Sequence, residues 1–244
     1  MVKINALKCT ILGLTIYLFQ NILFGLLIGT FNIGSNISQI ISYLFSLLLI
    51  TILVRNKECA SYFGFCKIKK NIKIMYLIPM FFIPIINLIY LSTPDIIITQ
   101  NIFMCIASGI YIGIIEELIF RSFLFRTIEE RINYGWAIII SSIIFGLFHL
   151  VNLNSLPIQI VILQVIYATA IGSIFSIIFY ITQSLFPCII VHTLTNITGF
   201  IFTENLQFKI ELMGTGIIIC ITIFYTVLLK KHIKTENSIR PTCT

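Results

Sequence analysis

Charge is what this 244-residue chain has least of. Asp, Glu, Lys and Arg make up 10% of it, against roughly 25% in a soluble domain, while 58% is hydrophobic and the mean hydropathy is +1.04. A chain this poor in charge cannot cover its apolar surface by folding in water, which excludes an ordinary soluble globule. No internal repeat or low-complexity tract is visible, so solenoids and arrays are excluded as well. None of the seven cysteines pairs at a metal-ligand spacing such as C-x-x-C. The helix-borne zinc signature H-E-x-x-H is also missing.

What fills the chain instead is apolar sequence in runs that suit a ~30 Å hydrocarbon core. Eight such runs lie near 8–30, 37–54, 74–92, 100–125, 135–152, 158–181, 187–203 and 212–229. The expected fold class is therefore all-α, a polytopic membrane bundle of about eight transmembrane helices forming one integral-membrane domain over 1–244. The first run follows Lys3 and Lys8 and ends without a small-residue cleavage site, so it is expected to be a retained span.

The few basic residues are unevenly placed. Arg55, Lys57, Lys67, Lys69, Lys70 and Lys73 fill the loop after the second run, Arg126 and Arg131 follow the fourth, and Lys230, Lys231, Lys234 and Arg240 follow the last. If eight spans alternate, every Lys and Arg except Lys209 and the intraspan Arg121 falls on one side. Short-loop Lys and Arg favour the cytoplasm, so a multi-pass protein of the cell membrane with both termini cytoplasmic is expected. The net charge of +7 then reflects topology and anionic lipid; nothing beyond that charge points to nucleic acid.

Of the nine acids, only Glu116 and Glu117 fall inside an apolar run. A carboxylate at membrane depth is costly and marks a functional site by default. Arg121 lies four residues after Glu117, on the same helical face, and can pair with it. Glu116 points about 100° away and needs a partner from another helix. His149 closes the fifth run (F145-G-L-F-H149). His192 and Asn196 share a face of the seventh (H192-T-L-T-N196). The structural alternative is a buried ion cluster with no chemistry. The chemical one is a hydrolase. A carboxylate and a histidine deprotonate a water that both can reach, and a second histidine with an amide donates to a developing oxyanion. Glu116, His149 and His192 are also candidate zinc ligands, so metal dependence stays open at this point.

E116-E-L-I-F-R121, F145-G-L-F-H149 and H192-T-L-T-N196 resemble, in order, the E-E-x-x-x-R, F-x-x-x-H and H-x-x-x-N/D motifs of the CPBP family. These are intramembrane proteases that include CAAX prenyl endopeptidases and bacterial Abi proteins. The resemblance covers roughly 100–203, which would be the catalytic core. It implies that Glu116 is the catalytic glutamate, that His149 helps it activate water, and that His192 and Asn196 stabilise the oxyanion. Glu117 and Arg121 would support them. It further implies a peptide or membrane-protein substrate in the bilayer, cut near the cytoplasmic face. Peptide maturation and bacteriocin or antimicrobial-peptide self-immunity are the themes of bacterial relatives. Two alternatives stand beside this reading: a non-enzymatic membrane immunity or binding protein, and a proton-coupled transporter.

Counting 1.5 Å per residue puts Glu116 about 15 Å, His149 about 21 Å and His192 about 8 Å from the cytoplasmic ends of their spans. Convergence therefore requires tilt, shifted ends or a broken segment, and Pro187 is the expected irregular entry. The hydrated pocket is expected to open toward the cytoplasm.

Overall fold

The computed structural model describes residues 5–68, 76–87, 101–202 and 208–236, with backbone only at 202 and 230–236. Among these residues the chain is helical throughout. The helices are α1 (Ala6–Gly29), α2 (Ser35–Val54), α3 (Lys57–Tyr62), α4 (Phe82–Ile86), α5 (Ile102–Glu117), α6 (Phe125–Arg131), α7 (Tyr134–Phe148), α8 (Ile158–Thr182), α9 (Phe186–Phe202) and α10 (Phe208–Glu236). A π-helical turn, Leu118–Leu124, joins α5 to α6, and a 3₁₀ segment, His149–Asn154, extends α7.

Six stretches are long and apolar enough to cross a membrane: Ala6–Gly29, Ser35–Val54, Ile102–Arg131, Tyr134–Asn154, Ile158–Thr182 and Phe208–Leu229. They correspond to six of the eight expected spans. The seventh is the shorter helix α9. Of the third, 74–92, only the central part is described, as a 3₁₀ turn Ile78–Phe81 running into α4; its flanks lie outside the described residues. The helical membrane bundle stands, with eight an approximate count.

Asparagine starts several of these helices. Asn5, Asn56, Asn101 and Asn133 each accept a backbone N–H of the first turn through the side-chain oxygen, which satisfies one of the donors a helix start leaves orphaned. α8 ends at Gln183, whose left-handed φ of 55° turns the chain sharply. Pro187 follows one residue into α9, where no intrahelical N–H is required.

Burial divides the bundle into centre and periphery. Of the best apolar window, 56% is buried in both the α5–α6 stretch and α8, against 11% in α1 and 22% in α10. The outer helices turn large apolar side chains outward, among them Leu18, Phe19, Leu44, Phe224 and Val227, as a lipid-facing surface requires. Several polar side chains face inward and pair between helices. Gln20 donates to Ser42 at 3.1 Å between α1 and α2, and Ser46 donates to Tyr111 at 2.9 Å between α2 and α5.

One end of the bundle gathers the basic residues. There Phe63–Cys66 folds over the α8–α9 turn: the Leu185 N–H donates to the Gly64 carbonyl at 2.9 Å and the Ser184 hydroxyl to the Cys66 carbonyl at 2.7 Å. Gly64 is required here, because its φ is +90° and a Cβ would sit 2.5 Å from the Phe179 ring. Arg126 reaches Gln183 from the end of the motif-bearing helix, and Tyr62 donates to Glu130. This burial over Pro187 and Cys188 means that α9 begins below the bundle surface.

Candidate active site

The site begins with two glycines. Gly109 and Gly113, four apart on α5, lie against α9. A Cβ on Gly113 would stand 2.9 Å from the Thr193 nitrogen and 3.0 Å from its Cα, and one on Gly109 would stand 3.1 Å from the Ile197 nitrogen. This G-x-x-x-G lets two backbones approach as only small residues allow in a membrane. One turn further along α5 is Glu117, and next to Thr193 is His192, so the close crossing delivers an acid to an imidazole.

There His192 Nδ1 lies 2.7 Å from Glu117 Oε1, with Glu117 fully buried and His192 6% exposed. A carboxylate oxygen accepts, so Nδ1 carries the proton and Nε2 faces the other way. Nε2 stands 3.8 Å from Glu116 Oε2. Arg121 Nη1 approaches Glu117 Oε1 to 3.3 Å, and both side chains are completely buried. One carboxylate thus holds both the arginine and the histidine. Breaking such a buried pair costs about 3–5 kcal/mol, because it leaves an uncompensated charge.

The π-helical turn follows directly after the glutamates and contains Arg121. Such turns are rare and gather at functional sites. The guanidinium carbon sits 3.8 Å from the centre of the Phe145 ring, and Gly172 on α8 leaves room beside it. The Arg121 nitrogens find no well-aligned hydrogen-bond acceptor among the described residues. Charge from Glu117 and the face of Phe145 hold the guanidinium instead. Phe145 also meets His149 and His192 edge-on, at 5.2 and 5.7 Å between ring centres. This phenylalanine is therefore the hub between two histidines and the arginine, a role that the spacing F-x-x-x-H does not reveal.

His149 starts the 3₁₀ segment after α7, and its Nδ1 lies 3.1 Å from the Phe145 carbonyl. A carbonyl can only accept, so Nδ1 donates and Nε2 keeps its lone pair. His149, His192 and Asn196 all line one cavity of about 530 Å³. Asn196 Nδ2 is buried without a hydrogen-bond partner among the described residues, which leaves an amide donor available on the cavity wall.

The structure therefore joins Glu117 to Arg121 and to His192, and brings Glu116 beside His192. His149 and Asn196 share the cavity wall with His192. No hydrogen bond or ion pair joins His149 to Glu116 among the described residues. Tyr17 is a participant that sequence reasoning missed: from α1 its hydroxyl donates to Glu116 Oε1 at 3.5 Å. No motif marks it, since a lone tyrosine in an apolar run looks like packing. The G-x-x-x-G was legible but lay outside the motif pattern.

Three expectations change. Glu211, placed at the edge of the last run and outside any apolar span, is only 8% exposed and lines the same cavity from α10. The discrepancy in depth is resolved by the sunken start of α9 and by the extension of the motif helix to Arg131, rather than by irregularity at Pro187. And the cavity lies in the half of the bundle away from the basic end. Its walls are the far end of α7, the start of α8, the last part of α9 and the first part of α10, with the exposed Ser155 at its rim. A cytoplasmic basic end and a cytoplasmic pocket, both expected from the sequence, cannot both hold.

As for zinc, no group of three His, Cys, Asp or Glu converges at ligand geometry among the described residues. Each histidine donates through Nδ1, to Glu117 and to the Phe145 carbonyl, the arrangement that leaves an imidazole Nε2 open to a metal ion, so Glu116, His149 and His192 stay the candidate ligands.

No curated protein matches the chain. Residues 98–198 match the family model described as Type II CAAX prenyl endopeptidase Rce1-like. The matched segment holds all three motifs and the core of the site just described, and it supports a CPBP/CAAX protease family assignment.

Proposed function

We propose that this protein is an intramembrane endopeptidase in which Glu116 is the general base. The observation that carries the reading is the placing of His192: one ring nitrogen 2.7 Å from Glu117, the other 3.8 Å from Glu116, on a cavity wall shared with His149 and Asn196. Pure structural pairing would need only Glu117 and Arg121. The second acid, the second histidine and the unpartnered amide have no such purpose.

The proposed reaction is direct attack by water on a peptide carbonyl. Glu116 takes one proton from the water, and the His149 Nε2 lone pair accepts a hydrogen bond from its remaining O–H and orients it. The water oxygen bonds to the carbonyl carbon as the carbonyl pair moves onto oxygen. His192, carrying a second proton on Nε2, and the Asn196 amide donate to that oxyanion. The C–N bond then breaks as Glu116 passes its proton to the leaving amine. Glu117, held by Arg121, fixes the His192 ring in this orientation, and Tyr17 steadies Glu116.

Short-loop basic charge favours the cytoplasmic side, so Arg55, Lys57, Arg126 and Arg131 orient the bundle with both termini cytoplasmic in the cell membrane. In that orientation the cavity faces the opposite side. The substrate is then a peptide, or a segment of a membrane protein, entering from the far face of the bilayer, consistent with peptide maturation or self-immunity.

The test is cleavage of an internally quenched peptide library by the protein in proteoliposomes. Glu116→Gln and His149→Ala should each lose about 10²–10⁴-fold in rate while remaining inserted and monodisperse. If neither variant is impaired, the site is structural. If cells that depend on the protein for protection are still protected by both variants, it is a binding protein.

A further inference from the structure

Past α7 the chain runs on as the 3₁₀ segment His149–Asn154. About three residues make one turn of such a segment, so side chains three apart stand in line. His149, Asn152 and Ser155 all line the cavity, whereas Leu150, Val151 and Leu153 are turned outward and exposed. The three therefore form a single file leading from the imidazole to the rim. Hydrogen bonds fix the turn that ends it: the Leu156 N–H donates to the Asn152 carbonyl at 2.8 Å, and the Ser155 N–H to the same oxygen at 3.0 Å.

Within this file the Asn152 side chain is held in one orientation. Its Nδ2 donates to Gln164 Oε1 on α8 at 2.8 Å, and the Gln164 side chain also meets Tyr167 on the same face of α8. The bond to Gln164 takes up the nitrogen end of the Asn152 amide and leaves the oxygen. No described residue donates to Asn152 Oδ1, and the atom is not sealed off in the interior. It is an uncharged, pre-set acceptor on a residue of the cavity wall, one 3₁₀ turn, about 6 Å, from His149.

A peptide bond is open to attack only where the chain is extended, and extended backbone at membrane depth carries N–H groups that need acceptors. We propose that Asn152 is a substrate-binding residue whose Oδ1 accepts one backbone N–H of the peptide, within about two residues of the scissile bond. The register follows from two spacings: about 6 Å along the file against about 3.3 Å per residue of extended chain. The peptide then lies along the file with its scissile carbonyl at His192 and Asn196. Because the contact is to the main chain, it selects no particular side chain at that point. This rests on the proteolytic reading, yet the contact is one of binding and can be measured without turnover.

The probe is the member of the quenched-peptide library that binds most tightly to the Glu116→Gln protein in proteoliposomes. From it a series is made in which each backbone N–H in turn is replaced by an ester oxygen, which removes the donor and keeps the shape of the chain. At one position the ester should weaken binding by about two- to ten-fold more than at the others, the scale of one hydrogen bond. Adding Asn152→Leu should bring that position level with the rest. A merely structural role for Asn152 would weaken every peptide alike and leave the ester penalty in place. Gln164→Leu, which frees the Asn152 amide to turn, should shrink the penalty at the same position and serves if Asn152→Leu does not fold. Cleavage of the parent peptide by the wild type locates the scissile bond, which should lie within about two residues of the penalised N–H. A penalty that survives both variants, or one that lies farther away, overturns the contact. Uniform penalties on a peptide that the wild type cleaves leave the protease standing and overturn the contact. A penalty removed by Asn152→Leu, with no cleavage by the wild type, would leave the contact standing and remove the protease. No binding by any peptide of the library overturns both.

Discussion

Glu117 Oε1 accepts from His192 Nδ1 at 2.7 Å and faces Arg121 Nη1 at 3.3 Å, with no exposure of Glu117 or Arg121. One oxygen thereby links the imidazole to the buried arginine. Glu117→Gln retains an acceptor for the imidazole but leaves Arg121 buried without a counter-charge, a loss of about 3–5 kcal/mol. Thermal unfolding in detergent should drop far more for Glu117→Gln than for Glu116→Gln. Pairing Glu117→Gln with Arg121→Met should recover much of the loss, because it removes both charges. Arg121→Lys should not, since an ammonium does not stack on Phe145 as the planar guanidinium does. Equal melting of the two glutamine variants would contradict the assignment of Glu117 as the structural anchor.

Helix approach at Gly113 leads to a second expectation. Gly113→Leu should force α5 from α9 and lose both activity and thermal stability, because a Cβ there already meets the Thr193 backbone at 2.9 Å. Gly25→Leu on α1 is the control, since nothing lies within 4 Å of its Cβ position. A Gly113→Leu protein that melts and cleaves like the Gly25→Leu protein would show that the crossing does not set the site.

Tyr17 offers a milder case. Its contact with Glu116 is long, at 3.5 Å, and its ring packs 5.9 Å from that of Phe148. Tyr17→Phe keeps the ring and removes the donor. Its rate should fall by roughly two- to ten-fold, the worth of one modest hydrogen bond, with unfolding unchanged. A loss as deep as that of Glu116→Gln would instead place the Tyr17 hydroxyl in the reaction itself.

Much of this could be read directly from the chain. The helical class follows from apolar runs of span length, and the candidate site residues from the rarity of ionisable groups within them. What the chain did not display was three-dimensional placement. The depth count failed because it took each apolar run to start at the membrane surface, whereas Gly64 and Cys66 cap a buried α9 start. Phe145 looked like a spacer, because its contacts to Arg121 and His192 come from two other segments and only folding brings them together. Glu211 escaped because it begins a helix, where an acid ordinarily needs no explanation beyond the helix dipole. The side on which the cavity lies could not be read either, since it depends on which halves of α7, α8, α9 and α10 pull apart.

That side is itself testable. With the basic end cytoplasmic, a Ser155→Cys thiol at the cavity rim should react with a membrane-impermeant maleimide in intact cells, in a background from which the accessible native thiols have been removed. An Asn56→Cys thiol, at the start of α3, should react only after permeabilisation. The reverse pattern would place the cavity, and the substrate with it, on the cytoplasmic side.

The central claim is that Glu116 and His192, 3.8 Å apart, act as one unit, and a double-mutant cycle on peptide cleavage in proteoliposomes tests it most directly. Residues acting as a unit are strongly non-additive. Glu116→Gln combined with His192→Ala should therefore be little slower than the slower single variant. Losses that simply multiply, or a Glu116→Gln protein that cleaves at the wild-type rate, would contradict the account.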